Sequence, residues 1–434
     1  VSVLIIKRVQ CTLKRLFLER GQALRAVSLS CLMWAGQGMA SEYTITAEYT
    51  PDPDNPGNTM FINTSVDGGV CVEVPRLCTP DRLRSFLTQF GAVSDVGLIA
   101  REAYANERSG AFFSMDGAFR FVTLTNEATG NTRTLRFALA GYGGRYVLNK
   151  PVDGTKGHDQ LWWGKTDPGG AWWQAPIPCF GGATPGYTNL TFDFFWRTPH
   201  EKRSCVKLPV FDISGPFQYT NVNVAYSLLT PNPVDMDAGT YKGSLMYSVG
   251  PGADIDFGDR TVASDHALII NFELRVNTSL KVEFPAGSYR AVLQPEQGWE
   301  NSMSGGKSAP SLSARHLFKI AGTGYFKAYL NCEYVIGLDC AISTDTGTGS
   351  SQVPVDISVS LPASIVQWPG SSPALKVPLK YGAEQAAVFK MGGLHGAQTA
   401  TMHYDVNAQH VTEMMRYPGS TYSGLATLIF DVNL

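Results

Sequence analysis

The sequence predicts an all-β fold, with two immunoglobulin-like β-sandwich domains in tandem. Three observations predict it. Apolar and polar residues alternate with period two in one segment after another, the pattern of half-buried strands. Glycine (44 residues) and proline (25) punctuate those segments as turn formers. The chain of 434 residues is too long for one ordinary domain, and it carries one strand-opening motif twice.

The N-terminal 1–40 reads as a targeting segment and stays outside the fold argument. Lys7, Arg8, Lys14, Arg15, Arg20 and Arg25 form a basic region, and the apolar run Ala26–Ala35 follows. Gly38 and Ala40 supply small residues for cleavage, which would start the mature chain at Ser41. The apolar run is too short to cross a hydrocarbon core ~30 Å thick. An exported chain meets an oxidising compartment, where Cys71, Cys78, Cys179, Cys205, Cys332 and Cys340 read as three disulfides. Pairing each cysteine with its neighbour (71–78, 179–205, 332–340) closes the least chain. Without a C-x-x-C, and with no histidine near enough in sequence to suggest a ligand pair, a metal site is not expected.

Strands follow in order. Leu190, Phe192, Phe194 and Trp196 alternate with polar or outward residues, as do Ile270, Phe272, Leu274 and Val276. Leu280, Val282 and Phe284 keep the rule, and so do Val355, Ile357, Val359 and Leu361. One short helix is expected, with Thr79 as N-cap, Pro80 in the first turn, Leu83, Phe86 and Leu87 as its apolar face and Gly91 as its stop. The motif Thr240-Tyr241-Lys242-Gly243 recurs as Thr421-Tyr422-Ser423-Gly424, each copy opening an alternating strand that closes a domain. The turn-rich stretch after the first copy suggests a linker at 251–265, between domains at 41–250 and 266–434.

A net charge of −2 gives no reason to expect nucleic acid as a partner. Catalytic signatures nearly form and then fail on spacing. Gly305-Gly306-Lys307-Ser308 lacks the first glycine of a phosphate loop, because position 301 is Asn. His200-Glu201 lacks a second histidine, since position 204 is Ser. No enzyme and no cofactor are expected. Two stretches point instead to binding. Trp162, Trp163, Trp172 and Trp173 lie in glycine-rich sequence, where rings can cover the C–H faces of sugars, although alternation would send half of them into a core. Arg197, Lys202 and Arg203 belong to a basic stretch that Cys205 could tether, suited to an anionic group or simply to a solvated face. Finally, Tyr422, Gly424, Ala426, Leu428, Phe430, Val432 and Leu434 alternate on one face of a last strand, an edge to which another protein could add a strand.

The segments Ala238–Leu245, Leu274–Pro285 and Gly419–Gly424 resemble the minor, tip-located adhesins of class 5 and cable-type chaperone–usher pili. The layout is similar too: signal peptide, adhesin domain with its own disulfides, short linker, pilin domain and a Tyr-x-Gly terminal strand. The resemblance implies a C-terminal sandwich that lacks one strand. A periplasmic pilus chaperone lends that strand, and the donor strand of the adjacent pilin replaces it at the outer-membrane usher. It implies a fimbrial protein at the cell surface that binds a host glycan and initiates pilus assembly. The basic patch of enteric relatives has no match in Tyr247–Gly252, so their receptor residues do not transfer. The strand Tyr43–Tyr49 could serve as a donor arm, which would suit a shaft subunit. The rival functions are a structural tip initiator without receptor binding and a secreted carbohydrate-active enzyme carrying an Ig-like module.

Overall fold

A computed structural model describes residues 40–432, apart from 53, 56, 165–169, 171, 183–185, 288, 300–309 and 346–350. Residues 1–39 of the expected targeting segment, the Gly305–Ser308 stretch and Leu434 thus lie outside the described residues, whereas Ala40 opens a strand. No described helix is long and apolar enough to cross a membrane. The described chain is all-β in the main, with two sheet systems that each enclose a separate apolar core.

Six strands build the backbone of the first system: β1 (Ala40–Tyr49), β2 (Arg120–Asn126), β3 (Thr132–Val147), β4 (Phe217–Leu229), β5 (Gly239–Ser248) and β6 (Ala267–Val276). They lie in the order β4-β3-β2-β5-β6-β1, antiparallel except that β6 and β1 run parallel over ten residue pairs. A second, four-stranded sheet contains Ala111–Asp116 and Lys202–Pro209. Phe137, Tyr142, Tyr146, Trp162, Trp172 and Trp196 fill the core of this system. Aromatic side chains bury about 150–250 Å² each, so such a core is costly to expose at ~25 cal/mol per Å².

Five strands carry the second system: β7 (Ser279–Glu283), β8 (Leu312–Cys332), β9 (Gln352–Ser360), β10 (Ala387–Val406) and β11 (Ala426–Asp431). β10 covers one edge of β8, and β7 and β11 share the other. Phe318, Phe326, Leu330, Val359, Phe389 and Met402 are all at most 2% exposed in its core.

Two expectations need correction. The boundary expected at 251–265 is not a break between sheets. Ile255–Asp256 pairs with Met115 and Ser114, and Val262–Ala263 pairs with Val93 and Ala92. Arg120 bonds Asp254, and Arg108 bonds Asp256 at 2.8 Å, fastening the turn to the first system. The strand expected to open the second domain, β6, belongs to the first: Leu268, Ile270, Phe272, Leu274 and Val276 are buried in its core. The passage to the second system is therefore Asn277–Thr278. The helix expected after Thr79 also fails. One 3-10 turn, Thr79–Asp81, ends at Arg82 with φ +53°, and Arg84–Leu87 is a strand paired with Asn223–Tyr226. Pairing across the sheet overrides a local start signal that only three apolar residues supported.

The cysteines pair locally as Cys71–Cys78, Cys179–Cys205 and Cys332–Cys340. The strand Tyr43–Tyr49 is no free arm: it lies within β1, with Ile45, Ala47 and Tyr49 buried.

Candidate functional site

The repeated motif explains how the last strand is placed. In the first copy, β5 bears Tyr241 and Tyr247, both fully buried, and pairs with β6 over its whole length. In the second copy, Tyr422–Ser423 pairs with Asp339–Thr344, and β11 then pairs with Tyr329–Cys332 and the two residues before them on β8. The chain thus changes partner strands at Gly424, where an added Cβ would come 2.7 Å from the Ala341 carbonyl oxygen. A glycine is required for that approach.

β11 has β8 on one side, and among the described residues no strand pairs with its other side. Its burial reflects this. Leu428, Ile429 and Phe430 are only half-buried, and Ala426 and Val432 are exposed. Leu428 and Phe430 still pack against the second core, so the strand presents one apolar face inward without a neighbour to close it. Where this strand begins, beside Tyr422–Ala426, opens a groove of about 730 Å³. Its floor is core: Leu312, Val355, Ile357 and Val411 are at most 5% exposed and also line the groove. Tyr289, Val292 and Leu425 stand exposed on its rim, Tyr289 at 92%. The segment carrying Tyr289 and Val292 is hung on β8 by a pair of backbone hydrogen bonds between Gln294 and Ser313. Tyr422 Oη and His316 Nδ1 line the same groove, buried and without hydrogen-bond partners. Burial raises the Tyr404 hydroxyl above its ordinary pKa.

The four tryptophans separate by alternation. Trp162 and Trp172 are 1% and 2% exposed, with ring centroids 5.0 Å apart, and so cannot touch a surface ligand. Trp163 and Trp173 remain exposed. Trp162–Gly164 is a short strand paired with Lys207–Pro209, and successive side chains on a strand face opposite ways. Beneath them runs a polar chain. His158, 1% exposed, places Nε2 2.7 Å from the Thr188 carbonyl oxygen, which can only accept, so Nε2 carries the proton. Nδ1 then accepts from Tyr146 Oη at 2.6 Å, and Tyr146 Oη accepts from Trp162 Nε1 at 3.4 Å. Burial lowers the His158 pKa, against the pull of the Thr188 carbonyl.

The basic stretch is no free patch. Arg197 pairs with Asp81 and lies over the Phe180 ring at 5.0 Å. Lys202 Nζ donates to the Gly252 carbonyl oxygen at 2.9 Å, and Arg203 pairs with Glu201 at 2.9 Å. The second half of the stretch lies in the strand Lys202–Pro209, and these three cationic groups are engaged by neighbours. The tether is present, with Cys205 bonded to Cys179. Close to that tether, Ile177, Phe180 and Tyr187 are exposed at 61%, 46% and 53%, large apolar groups that the sequence pattern did not single out because they lie outside any alternating run. Among the described residues, no group of three or more His, Cys, Asp or Glu side chains is placed to hold a metal.

No family model matches the chain, and no curated protein matches it. Solved structures do. A chain from a chaperone–tip adhesin complex of CFA/I fimbriae biogenesis matches at 11% identity and TM-score 0.26, covering 91% of this chain and 96% of that one. CfaE, the adhesive subunit of the CFA/I fimbria of enterotoxigenic Escherichia coli, matches at 10% identity and TM-score 0.27, covering 90% and 92%. The CsuC–CsuE chaperone–tip subunit pre-assembly complex of Acinetobacter baumannii matches at 9% identity and TM-score 0.27, covering 91% and 99%. At such identities and scores these matches carry no weight for the activity of this chain.

Proposed function

We propose that the chain is the tip adhesin of a chaperone–usher pilus, whose second sandwich is completed by a strand from a partner. One observation carries this reading. The two copies of the motif differ in their neighbours among the described residues: β5 is paired on both sides, by β6 and by β2, whereas β11 has β8 on one side only, and Ala426 at its start, with Tyr422–Leu425 before it, lines an open groove. An unpaired edge above an open core invites strand addition, in which backbone bonds give affinity and alternate side chains fill the groove. A periplasmic chaperone would supply that strand first, and the neighbouring pilin would supply it at the usher. The use of Tyr43–Tyr49 within β1 fits a subunit that accepts a strand and does not lend this one.

The first sandwich is the receptor-binding part, and host surface glycans are the class of receptor that its exposed rings suit. Trp163 and Trp173 are the contacts we assign. Trp162, Trp172 and Arg197 act from within the fold. The protein is an adhesin that works at the pilus tip and carries out no reaction.

The test is thermal unfolding of the chain from Ser41 with a ten-residue peptide patterned on β6, whose Leu268, Ile270, Phe272, Leu274 and Val276 fill the equivalent place in the first sandwich. A saturable rise in the melting temperature of the second sandwich is expected, since a ligand at 100 times its Kd stabilises by about 2.7 kcal/mol. A peptide with the same residues shifted by one position turns the wrong face inward and should have no effect. A second sandwich that ignores both peptides would count against the reading.

A further inference from the structure

A second cavity, of about 280 Å³, lies away from the groove, between the end of the first sheet system and the β8–β10 edge of the second. Its volume equals about nine waters at ~30 Å³ each, close to the lower end of small-molecule sites. Pro51, Pro233, Val234, Met236, Val276 and Met391 make most of the wall apolar. Three polar groups have no fixed partner on that wall. Tyr49 is 2% exposed, lines the cavity, and its hydroxyl makes no hydrogen bond. Thr323 Oγ1 is buried and also unpaired. Lys390 has no carboxylate partner among the described residues. Its ammonium instead lies 5.3 Å from the Tyr325 ring centroid and 5.7 Å from that of Trp368. The one carboxylate on the wall, Asp237, is engaged by Asn131 Nδ2 at 2.6 Å.

We propose that this cavity binds a small amphipathic monoanion, a carboxylate on an apolar body the size of benzoate or hexanoate. Buried hydroxyls without partners cost free energy unless something supplies an acceptor. A carboxylate offers acceptors to both hydroxyls and a charge to Lys390, while its apolar body covers the proline, valine and methionine surface. A sugar would leave that surface against hydroxyls, and a cation would meet Lys390. The site is independent of the strand-accepting groove, so its fate does not depend on that of the pilus reading.

The experiment is calorimetric titration of the chain from Ser41 with benzoate and hexanoate, with benzyl alcohol as the uncharged analogue and acetate as the salt control. Benzoate is expected to bind saturably, and at least about tenfold more tightly than benzyl alcohol, as one charge-assisted hydrogen bond implies. K390Q should remove that preference and leave benzyl alcohol binding unchanged. T323V, which keeps the shape of the side chain, should weaken benzoate alone. Melting temperatures of the unliganded variants confirm that each is folded. Absence of saturable binding by either carboxylate overturns the proposal, and so does a K390Q variant that binds benzoate as well as the parent chain.

Discussion

Gly424 is pressed against the carbonyl oxygen of Ala341, at a distance that no side chain could share. That contact lets the last strand leave one partner and join another within a few residues. G424A should therefore lower the melting temperature of the second sandwich, at a cost of about 1–3 kcal/mol for overpacking against rigid backbone. G396A is the control. A Cβ there meets nothing within 4 Å, and its effect should stay within about 0.5 kcal/mol.

The tryptophans should divide by stability and by binding. W172A removes a ring packed against Trp162 and Trp196 at 5.0 Å each, and should cost about 3–5 kcal/mol in chemical denaturation. W163A and W173A should each change stability by no more than about 1 kcal/mol. Glycan-array signals should fall with the two exposed rings and survive in any folded variant of the rest.

The disulfides differ in the chain they close. Cys179–Cys205 spans 26 residues and Cys71–Cys78 spans 7. On the chain-entropy model, their removal as serine pairs should cost about 3.5 and about 2.4 kcal/mol respectively. Urea midpoints of the two double variants give the comparison, and the reverse order would show that the folded state, not the unfolded chain, sets the difference.

Acid should weaken the first sandwich through His158. Burial lowers its pKa in the fold, so the neutral ring is favoured there. The stability this represents is complete above the unfolded value of about 6.5, and it is lost as pH falls from that value toward the depressed one. Asp159 works in the opposite sense, because burial raises its carboxyl from an ordinary value near 3.8, a cost that eases as pH falls through the raised value. Melting followed from pH 7 to pH 5.5 in the parent chain and in H158Q isolates the histidine, and H158Q should flatten the slope of the first sandwich. His403, lowered by burial and then by Lys376 and Arg315, should produce a separate loss in the second sandwich, which H158Q leaves in place.

The strands were legible because alternation is local, and their partners were not because pairing is long-range. Leu268 to Val276 announces a strand in sequence, but only the structure assigns it to β5 and β1. The turn at Gly250–Asp254 has the composition of a linker, and the two arginine–aspartate contacts that make it part of the first sandwich come from residues more than a hundred positions away. Alternation also said that two of four tryptophans would be buried; which two depended on how Trp162–Gly164 met Lys207–Pro209. The basic stretch misled for a related reason. Composition counts charges, and Asp81, Glu201 and the Gly252 carbonyl that occupy them are distant or on the far side of a turn. The groove was half legible: the sequence marked β11 as an edge, but the residues of its floor are scattered from Leu312 to Val411.

The parallel union of β1 and β6 also has a mechanical consequence. β6 leads into β7 through Asn277 and Thr278, so tension from the second sandwich enters the first along the axis of β6. The backbone bonds to β1 and β5 lie across that axis and are loaded side by side instead of being peeled one at a time. Even Asn277, just beyond the strand, is held to Tyr49 and Thr50 at 2.9 Å each. A pull on the second sandwich is thereby spread over a whole sheet before any single contact in the first core is strained.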